Sequence, residues 1–510
     1  MYSRLDSKIE LFHNQLTKYQ GIYSLRYFLN TFGIHVIGAN IEVPTTVLDF
    51  PSLARFREEV KKGYDYVGIG SIVPNFNKVK RMVEDVRELS PRSKIVLGGF
   101  CATIPGLRKM VDVDHVCIGD GITFMRELLG LPPEFTFRHP DVYVQPRELM
   151  GVPIFGKHYP AIVVGLGCSY GCDFCTPSHF FGRRHIRFLK TGEEIFKEML
   201  RLEKKYHSTN MTFVGDDNFF LDLKRAEELR KLVMASGKVF KVLLFGSADK
   251  VAEFGPERLA EMGVSVLWIG RESKFGDYRK NKTLDLVELS RTLRSYGIKT
   301  IISSILLMDN HTKENIMEDV SEHLSCEPVF SQFSFYSPAP GTPLWERMEE
   351  EGRLLRTIPW EDCHAFKQPW FIHPEFGLLE AEKVQEAAYL RDFHELGPSI
   401  FRFIRADYEG WRRYRGSSEP YHRVLAADFA KLMGPNKILL LAMERLVPTE
   451  SMREMIRELR QRIEADFGPS SFPHRLAATG LVLTGRSREF YTRHFGDTLQ
   501  PPTRVVGYNS

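Results

Sequence analysis

Between residues 161 and 335 short apolar runs of strand character alternate with longer stretches of helical periodicity. The strand candidates are Ala161–Gly165, Met211–Val214, Val242–Phe245, Val264–Ile269, Thr300–Leu306 and Gln332–Phe335. Neighbouring parallel strands need a crossover of about a dozen residues or more, usually a helix. Alternation at this spacing therefore implies a parallel α/β sheet with helices outside it. The helix after the first strand opens on a capping box, Thr191-Gly192-Glu193-Glu194. Six units fall short of the eight that close a TIM-type barrel. The expectation for residues 159–370 is an open, partial (β/α)6 barrel.

The flanking regions read differently. Residues 1–135 alternate strands at Ile34–Ile37, Tyr66–Gly70, Lys94–Gly99 and His115–Gly121 with helices at Leu53–Lys62 and Asn77–Leu89. That order predicts a Rossmann-like, doubly wound parallel sheet. Glycines end the strands, where such sheets bind ligands. Pro132, Pro133, Pro140, Pro146 and Pro153 punctuate the following stretch, so 136–158 is read as a linker. Residues 371–510 turn helical, with candidates at Leu379–His394, Ser399–Arg415, Pro420–Leu432 and Thr449–Phe467 and an irregular tail from Pro501. Three regions suit a chain of 510 residues, too long for one ordinary core.

Composition narrows the function classes. A net charge of +4 with 26% charged residues gives no general case for nucleic acid. No apolar run reaches the roughly 18 residues of a membrane span, and Met1–Asp6 has no apolar signal core. A cytoplasmic location is the expectation. Seven cysteines, an odd number, argue against a fully paired secreted framework. Cys101, Cys117, Cys326 and Cys363 are scattered and read as small buried apolar residues.

The other three cysteines cluster in Gly165-Leu166-Gly167-Cys168-Ser169-Tyr170-Gly171-Cys172-Asp173-Phe174-Cys175. This segment follows the first barrel strand, on the face where barrel enzymes place their chemistry. Three thiolates in one loop can each ligate one iron of a four-iron cube, leaving the fourth iron with an open position. Gly167 and Gly171 let the backbone curl around it. The alternatives are a zinc site completed by His179 or His185, or three incidental buried thiols.

Cys168-x3-Cys172-x2-Cys175, with Phe174 before the last cysteine, resembles the signature of the radical S-adenosylmethionine (SAM) superfamily. The resemblance runs through about residues 160–350. It implies a 4Fe-4S cluster on Cys168, Cys172 and Cys175, SAM bound at the open iron, and its reductive cleavage to a 5′-deoxyadenosyl radical that takes a hydrogen atom from substrate. An external electron donor such as flavodoxin or ferredoxin is implied with it. Further down the barrel, Gly215, Asp216 and Asp217 resemble the segment that meets the SAM amino group. Ser247 is placed like a contact to the SAM carboxylate or ribose. Glu272 and Ser273 lie in a Gly-x-Glu-Ser segment that contacts SAM in relatives, and Pro340-Gly341-Thr342-Pro343 matches another recurrent segment. Plain structural roles stand beside these: helix caps for Asp216 and Asp217, and ion pairs from Glu272 to Arg271 or Lys274. The fifth strand runs into Leu307–Thr312 without the glycine-rich turn of many relatives, which leaves adenine contacts there unassigned.

An α/β domain ahead of such a barrel resembles the cobalamin-binding (B12-binding) subgroup of the superfamily. The residues carrying this are Gly70, Ser71, Gly98, Gly99, Phe100, Gly119 and Gly121. The Asp-x-His-x-x-Gly motif that supplies a histidine to cobalt elsewhere is absent; His115 has Val113 where that motif has Asp. The alternative is a domain that has lost its ligand and kept a packing role. Methylthiolating relatives carry three further cysteines in this domain, and Cys101 and Cys117 are too few. The resemblance implies a cobalamin-dependent methyltransferase acting on an unactivated carbon. A cyclase or rearrangement enzyme with the same cofactors, and a non-catalytic cobalamin or SAM sensor, are the alternatives. No catalytic residue is assigned.

Arg402, Arg405, Arg412, Arg413 and Arg415 interleave with Phe401, Phe403, Tyr408, Trp411 and Tyr414. Such a helix suits an anionic or lipidic substrate, or peripheral membrane contact; an amphipathic helix with a solvated basic face is the plainer reading. Arg183, Arg184 and Arg187, just after the cysteines, suit an anion. The substrate is a small molecule or a lipid, which the sequence leaves unidentified.

Overall fold

The computed structural model describes residues 16–24, 26–278, 284–495 and 501–509. The reading of Met1–Asp6 lies outside them. In chain order the strands are β1 (Arg26–Leu29), β2 (Thr45–Asp49), β3 (Tyr66–Gly70), β4 (Lys94–Gly98), β5 (His115–Val116), β6 (Val142–Leu149), β7 (Val152–Pro153), β8 (Tyr159–Gly167), β9 (Ile186–Arg187), β10 (Asn210–Asp216), β11 (Lys241–Phe245), β12 (Val264–Glu272), β13 (Lys299–Leu306), β14 (Phe330–Phe335) and β15 (Arg504–Tyr508).

The central sheet has the order β1-β6-β8-β10-β11-β12-β13-β14. From β8 to β14 every pairing is parallel. This is the expected six-stranded partial barrel, open between β14 and β1 among the described residues. Its strands are apolar on the helix-facing side: Ile162, Val164, Leu244, Leu267, Ile269 and Ile302 are buried with Met199, Leu202 and Leu229 from the surrounding helices. The helix Gly192–Tyr206 starts on the expected capping box, with Thr191 and Glu194 each taking a terminal N–H.

The stretch read as a linker is a strand. β6 lies antiparallel between β1 and β8 and extends the barrel sheet. Its proline content misled because pairing to β8 stops at Val144. Around Pro146 the strand has β1 alone beside it, and a missing N–H is tolerated at such a place.

The N-terminal unit carries a second sheet, β3-β4-β5, parallel and in chain order. Ile69, Ile95 and Leu97 bury against Phe56, Phe76, Val79 and Val83. Ile34–Ile37, expected as a strand, lies within the helix Phe32–Asn40. A short run that is apolar all round has no period to separate a buried helix from a buried strand. The tail expected to be irregular is β15, antiparallel to β2. Tyr508 there meets His35 Nδ1 through its hydroxyl at 2.8 Å.

The C-terminal region holds the helices Leu378–Leu396, Ser399–Tyr414, Pro420–Leu446, Glu450–Phe467 and Phe472–Phe495. The third continues fourteen residues past the expected end at Leu432, through Pro435, because Met433, Leu440 and Met443 are buried in one core with Met452 and Ile456. Ile22, Tyr23 and Met150 join that core, so the helices pack on the start of the chain and on the turn after β6. Among the described residues no helix is long and apolar enough to cross a membrane.

Candidate active site

The cysteine loop leaves the end of β8. Ser178 Oγ donates to the Cys168 carbonyl at 2.8 Å and accepts from the Gly171 N–H at 3.1 Å, tying both ends of the loop to the helix Thr176–Phe180. Gly171 has φ +71°, and a Cβ there would collide with the Arg183 guanidinium. Asp173 accepts from Tyr278 at 3.1 Å and Tyr336 at 2.6 Å. Phe174 packs edge-on against the same two rings. The residues between Cys172 and Cys175 are thus held from β12's following loop and from the end of β14. Sequence gave no local sign of either tyrosine, since both come from distant segments.

Zinc would need a fourth protein ligand beside the three thiolates. His179 Nε2 is engaged with the Cys172 carbonyl at 3.1 Å, and His185 Nε2 with Asp216 at 3.0 Å. Each proposed fourth ligand thus has its Nε2 engaged elsewhere. A cube, in which each thiolate takes a different iron, needs no fourth protein ligand.

The strand ends around the loop differ in availability. Asp216 is buried and bound by His185 and by Arg225 at 2.7 Å. Burial would raise its pKa, but those partners hold it below the usual carboxylate range. It is a structural knot. Asp217 next to it is exposed to solvent. Desolvation by the surrounding walls, with the Asp216 charge, pushes it up to about 7 against the pull of the Gly167 N–H. Gly215, at φ +83°, brings β10 against β8: a Cβ would stand 2.5 Å from the Gly165 carbonyl.

Ser247 exchanges hydrogen bonds with Asn218, at 3.0 Å and 3.1 Å, and lies 3.4 Å from the Tyr170 hydroxyl. Tyr170 donates to Asp249 at 2.6 Å, and burial with that carboxylate pushes its pKa up to about 12. This chain of groups joins the cysteine loop to the ends of β10 and β11. At the end of β12, Arg271 and Lys274 pair with Asp319, Glu318 and Glu322. Glu272 is buried with φ +62°, an uncommon backbone state for a non-glycine residue. Ser273 Oγ sits 3.2 Å from His311 Nε2, which also meets Asp319 at 3.1 Å. His311 follows β13 and lies in the segment where no contact was assigned. Thr342 caps the helix Pro343–Glu350, and Gly341 lies against Thr103 of the N-terminal unit.

The glycine loops of the N-terminal sheet face this site. Phe100 packs edge-on against Phe180, just after the cysteines, with ring centroids 5.1 Å apart. A Cβ on Gly119 would lie 3.6 Å from the Phe180 carbonyl, an ordinary contact, and one on Gly98 would meet only Cys117. Neither has a protein neighbour close enough to exclude a Cβ. The other glycines answer to the protein itself. At Gly99, φ +75°, a Cβ would fall 2.8 Å from the Ser71 nitrogen. Gly70 abuts Ile34, and Gly121 abuts Ile37. Cys101 and Cys117 are buried and lifted by desolvation, as small core residues are.

The arginine–aromatic helix is packed on one side and carries Arg412, Arg413 and Arg415 on an exposed one, as the plainer reading expects. Arg402 is buried on Asp392, Arg405 pairs with Glu327, Arg415 with Asp466, and Phe401, Tyr408 and Tyr414 are core. The large exposed apolar side chains instead include Phe472, Leu476, Leu483 and Phe490 of the last helix. Of the basic residues after the cysteines, Arg187 pairs with Asp222.

Residues 162–322 match the Radical SAM superfamily, so the barrel with its cysteine loop is a radical SAM domain. An uncharacterized methyltransferase of Pyrococcus horikoshii is 24% identical over 401 residues, covering 70% of this chain and 85% of its own. The hopanoid C-2 methylase of Rhodopseudomonas palustris is 30% identical over 230 residues, 39% of this chain and 42% of that protein. Among solved structures, the radical SAM methyltransferase TsrM from Kitasatospora setae, with cobalamin and a 4Fe-4S cluster bound, aligns at 16% identity and a TM-score of 0.49 over 81% of this chain and 91% of that one.

Proposed function

We propose that this chain is a cobalamin-dependent radical SAM methyltransferase acting on an unactivated carbon of a small-molecule or lipid substrate. The observation that carries this is the meeting of two cradles: the cysteine loop at the barrel mouth, and the ends of β4 and β5 pressed against the helix that follows it. When bound, the cluster and SAM supply reductive cleavage, and cobalamin supplies the methyl group. Cys168, Cys172 and Cys175 would hold the cluster. Gly215, Asp217, Ser247, Glu272 and Ser273 stand at the strand ends around it and would hold SAM. Gly70, Ser71, Gly98, Gly99, Gly119 and Gly121 form the opposite wall, with Gly98 and Gly119 as the points of close approach to a corrin. The work of the chain is to orient two cofactors and a substrate and to keep water out.

Four curated relatives are named as methyltransferases or a methylase and one as a cyclase, a balance that supports methyl transfer. Reduced thiolates and a flavodoxin or ferredoxin donor suit a cytoplasmic setting. Any membrane contact would fall to the exposed apolar side of the helix Phe472–Phe495.

Anaerobically purified protein should carry about four irons per chain, as a single cube requires, together with a cobalamin absorption spectrum. With SAM and a strong reductant it should release 5′-deoxyadenosine, and Cys172→Ala should abolish both iron and cleavage. Iron and cleavage retained in that variant would overturn the cluster assignment. Protein with a cluster and no affinity for added cobalamin would overturn the methyl-transfer reading while leaving the cluster intact.

A further inference from the structure

A second cluster of ligating side chains lies outside this site, where the C-terminal helices meet the outer layer of the barrel. Glu257 and Glu261 are four residues apart on the helix Pro256–Glu261 and so share a face. His422 faces them from the first turn of the helix Pro420–Leu446. Its Nε2 lies 3.2 Å from Glu261 Oε1 and 4.0 Å from Glu257 Oε1. All three ligand atoms fall within 4.8 Å of one another, the one such trio among the described residues.

The separation suits a bound ion. Metal–nitrogen and metal–oxygen bonds of about 2.0–2.1 Å meeting at a tetrahedral angle put the two donor atoms about 3.3 Å apart. The surroundings are those of a ligand set. His422 Nδ1 is 3.2 Å from Ser417 Oγ, which fixes the ring and leaves Nε2 to face the carboxylates. The second oxygen of Glu261 is held by Arg230 at 2.5 Å. One independent observation points to a missing partner. Tyr414 is 2% exposed, its hydroxyl has no hydrogen-bond partner, and its ring lies 4.9 Å from that of His422. A buried hydroxyl left unmet is costly, and a water completing a metal's coordination is a fitting partner for it.

We propose that Glu257, Glu261 and His422 bind one divalent transition-metal ion of the zinc type. The ion pins the helix Pro420–Leu446 to the barrel and is separate from the iron–sulfur cluster. A simple ion pair of His422 with Glu261 is the competing account.

Cluster-loaded protein is titrated with Zn(II) alone and with Co(II) alone, with iron followed in parallel. We expect one equivalent bound, visible ligand-field bands of low-symmetry cobalt, and a rise in Tm with Zn(II), as ligand binding to the folded state requires. Glu257 is exposed, so Glu257→Gln should fold normally, keep its iron, and lose affinity by at least about tenfold. His422→Gln should lose the cobalt bands. Wild-type protein without cobalt bands or a Zn(II)-dependent Tm rise overturns the proposal. So does equal affinity in wild type and Glu257→Gln.

Discussion

Removing the Asp392 carboxylate should strand a charge in the seam between the barrel and the C-terminal helices. Arg402 meets Asp392 through two parallel contacts, NH1 to Oδ1 at 2.7 Å and NH2 to Oδ2 at 2.8 Å, with both side chains at 0–1% exposure. NH1 also donates to the Pro328 carbonyl, and Asp392 accepts from Ser331 of β14 and from Gln20. Unit charges about 4 Å apart attract by about 4 kcal/mol at an effective dielectric constant of about 20. Desolvating the two ions costs several kcal/mol each, so the intact pair contributes little net stability. Asp392→Ala keeps the cost of the buried guanidinium and loses the compensation, a loss of about 3–5 kcal/mol. Replacing both, as Asp392→Leu with Arg402→Met, removes the two ions together and should recover most of it. Urea unfolding of wild type, Asp392→Leu, Arg402→Met and the double variant closes a double-mutant cycle. An Asp392→Ala loss below about 1 kcal/mol, or a double variant as unstable as the single, would refute the reasoning.

Two further predictions concern the site. The Asp217 carboxyl titrates at about 7 in the folded chain and at about 4 when unfolded. Between these values the unfolded chain releases a proton that the folded chain keeps, so stability from this group falls as pH rises from about 4 to about 7. Asp217→Asn should therefore raise Tm increasingly over that window and by a constant amount above it; a gain independent of pH contradicts the assignment. Gly99→Ala introduces a Cβ at φ +75° that falls 2.8 Å from the Ser71 nitrogen, and should cost about 2–4 kcal/mol. The loss should be the same without cobalamin, since the clash is internal; cobalamin-free Gly99→Ala protein as stable as wild type would show that the loop yields.

Much of the barrel was legible because its signals are local. Each of the six parallel strands is a short apolar run bounded by turn residues, and each falls inside an observed strand. The cysteine spacing was legible for the same reason. The errors share one cause. The helix Phe32–Asn40, the strand β6 and the strand β15 are each defined by what covers or pairs with them, and those partners lie far along the chain. At the helix Ser399–Tyr414, Asp392, Glu327 and Asp466 take Arg402, Arg405 and Arg415 from other helices and from the barrel, while Arg412 and Arg413 keep an exposed basic face.

The sequence by itself determined the order of strands and helices within the barrel and the three-cysteine loop, since period, turn chemistry and ligand spacing act over a few residues. Tertiary structure decided which of two adjacent aspartates is locked and which is open, and which tyrosines grip the loop at Asp173. It also decided that Phe100 meets Phe180 and that Tyr414 is left without a partner beside His422. Those outcomes depend on side chains separated by tens to hundreds of residues, and no local pattern carries the distance between them.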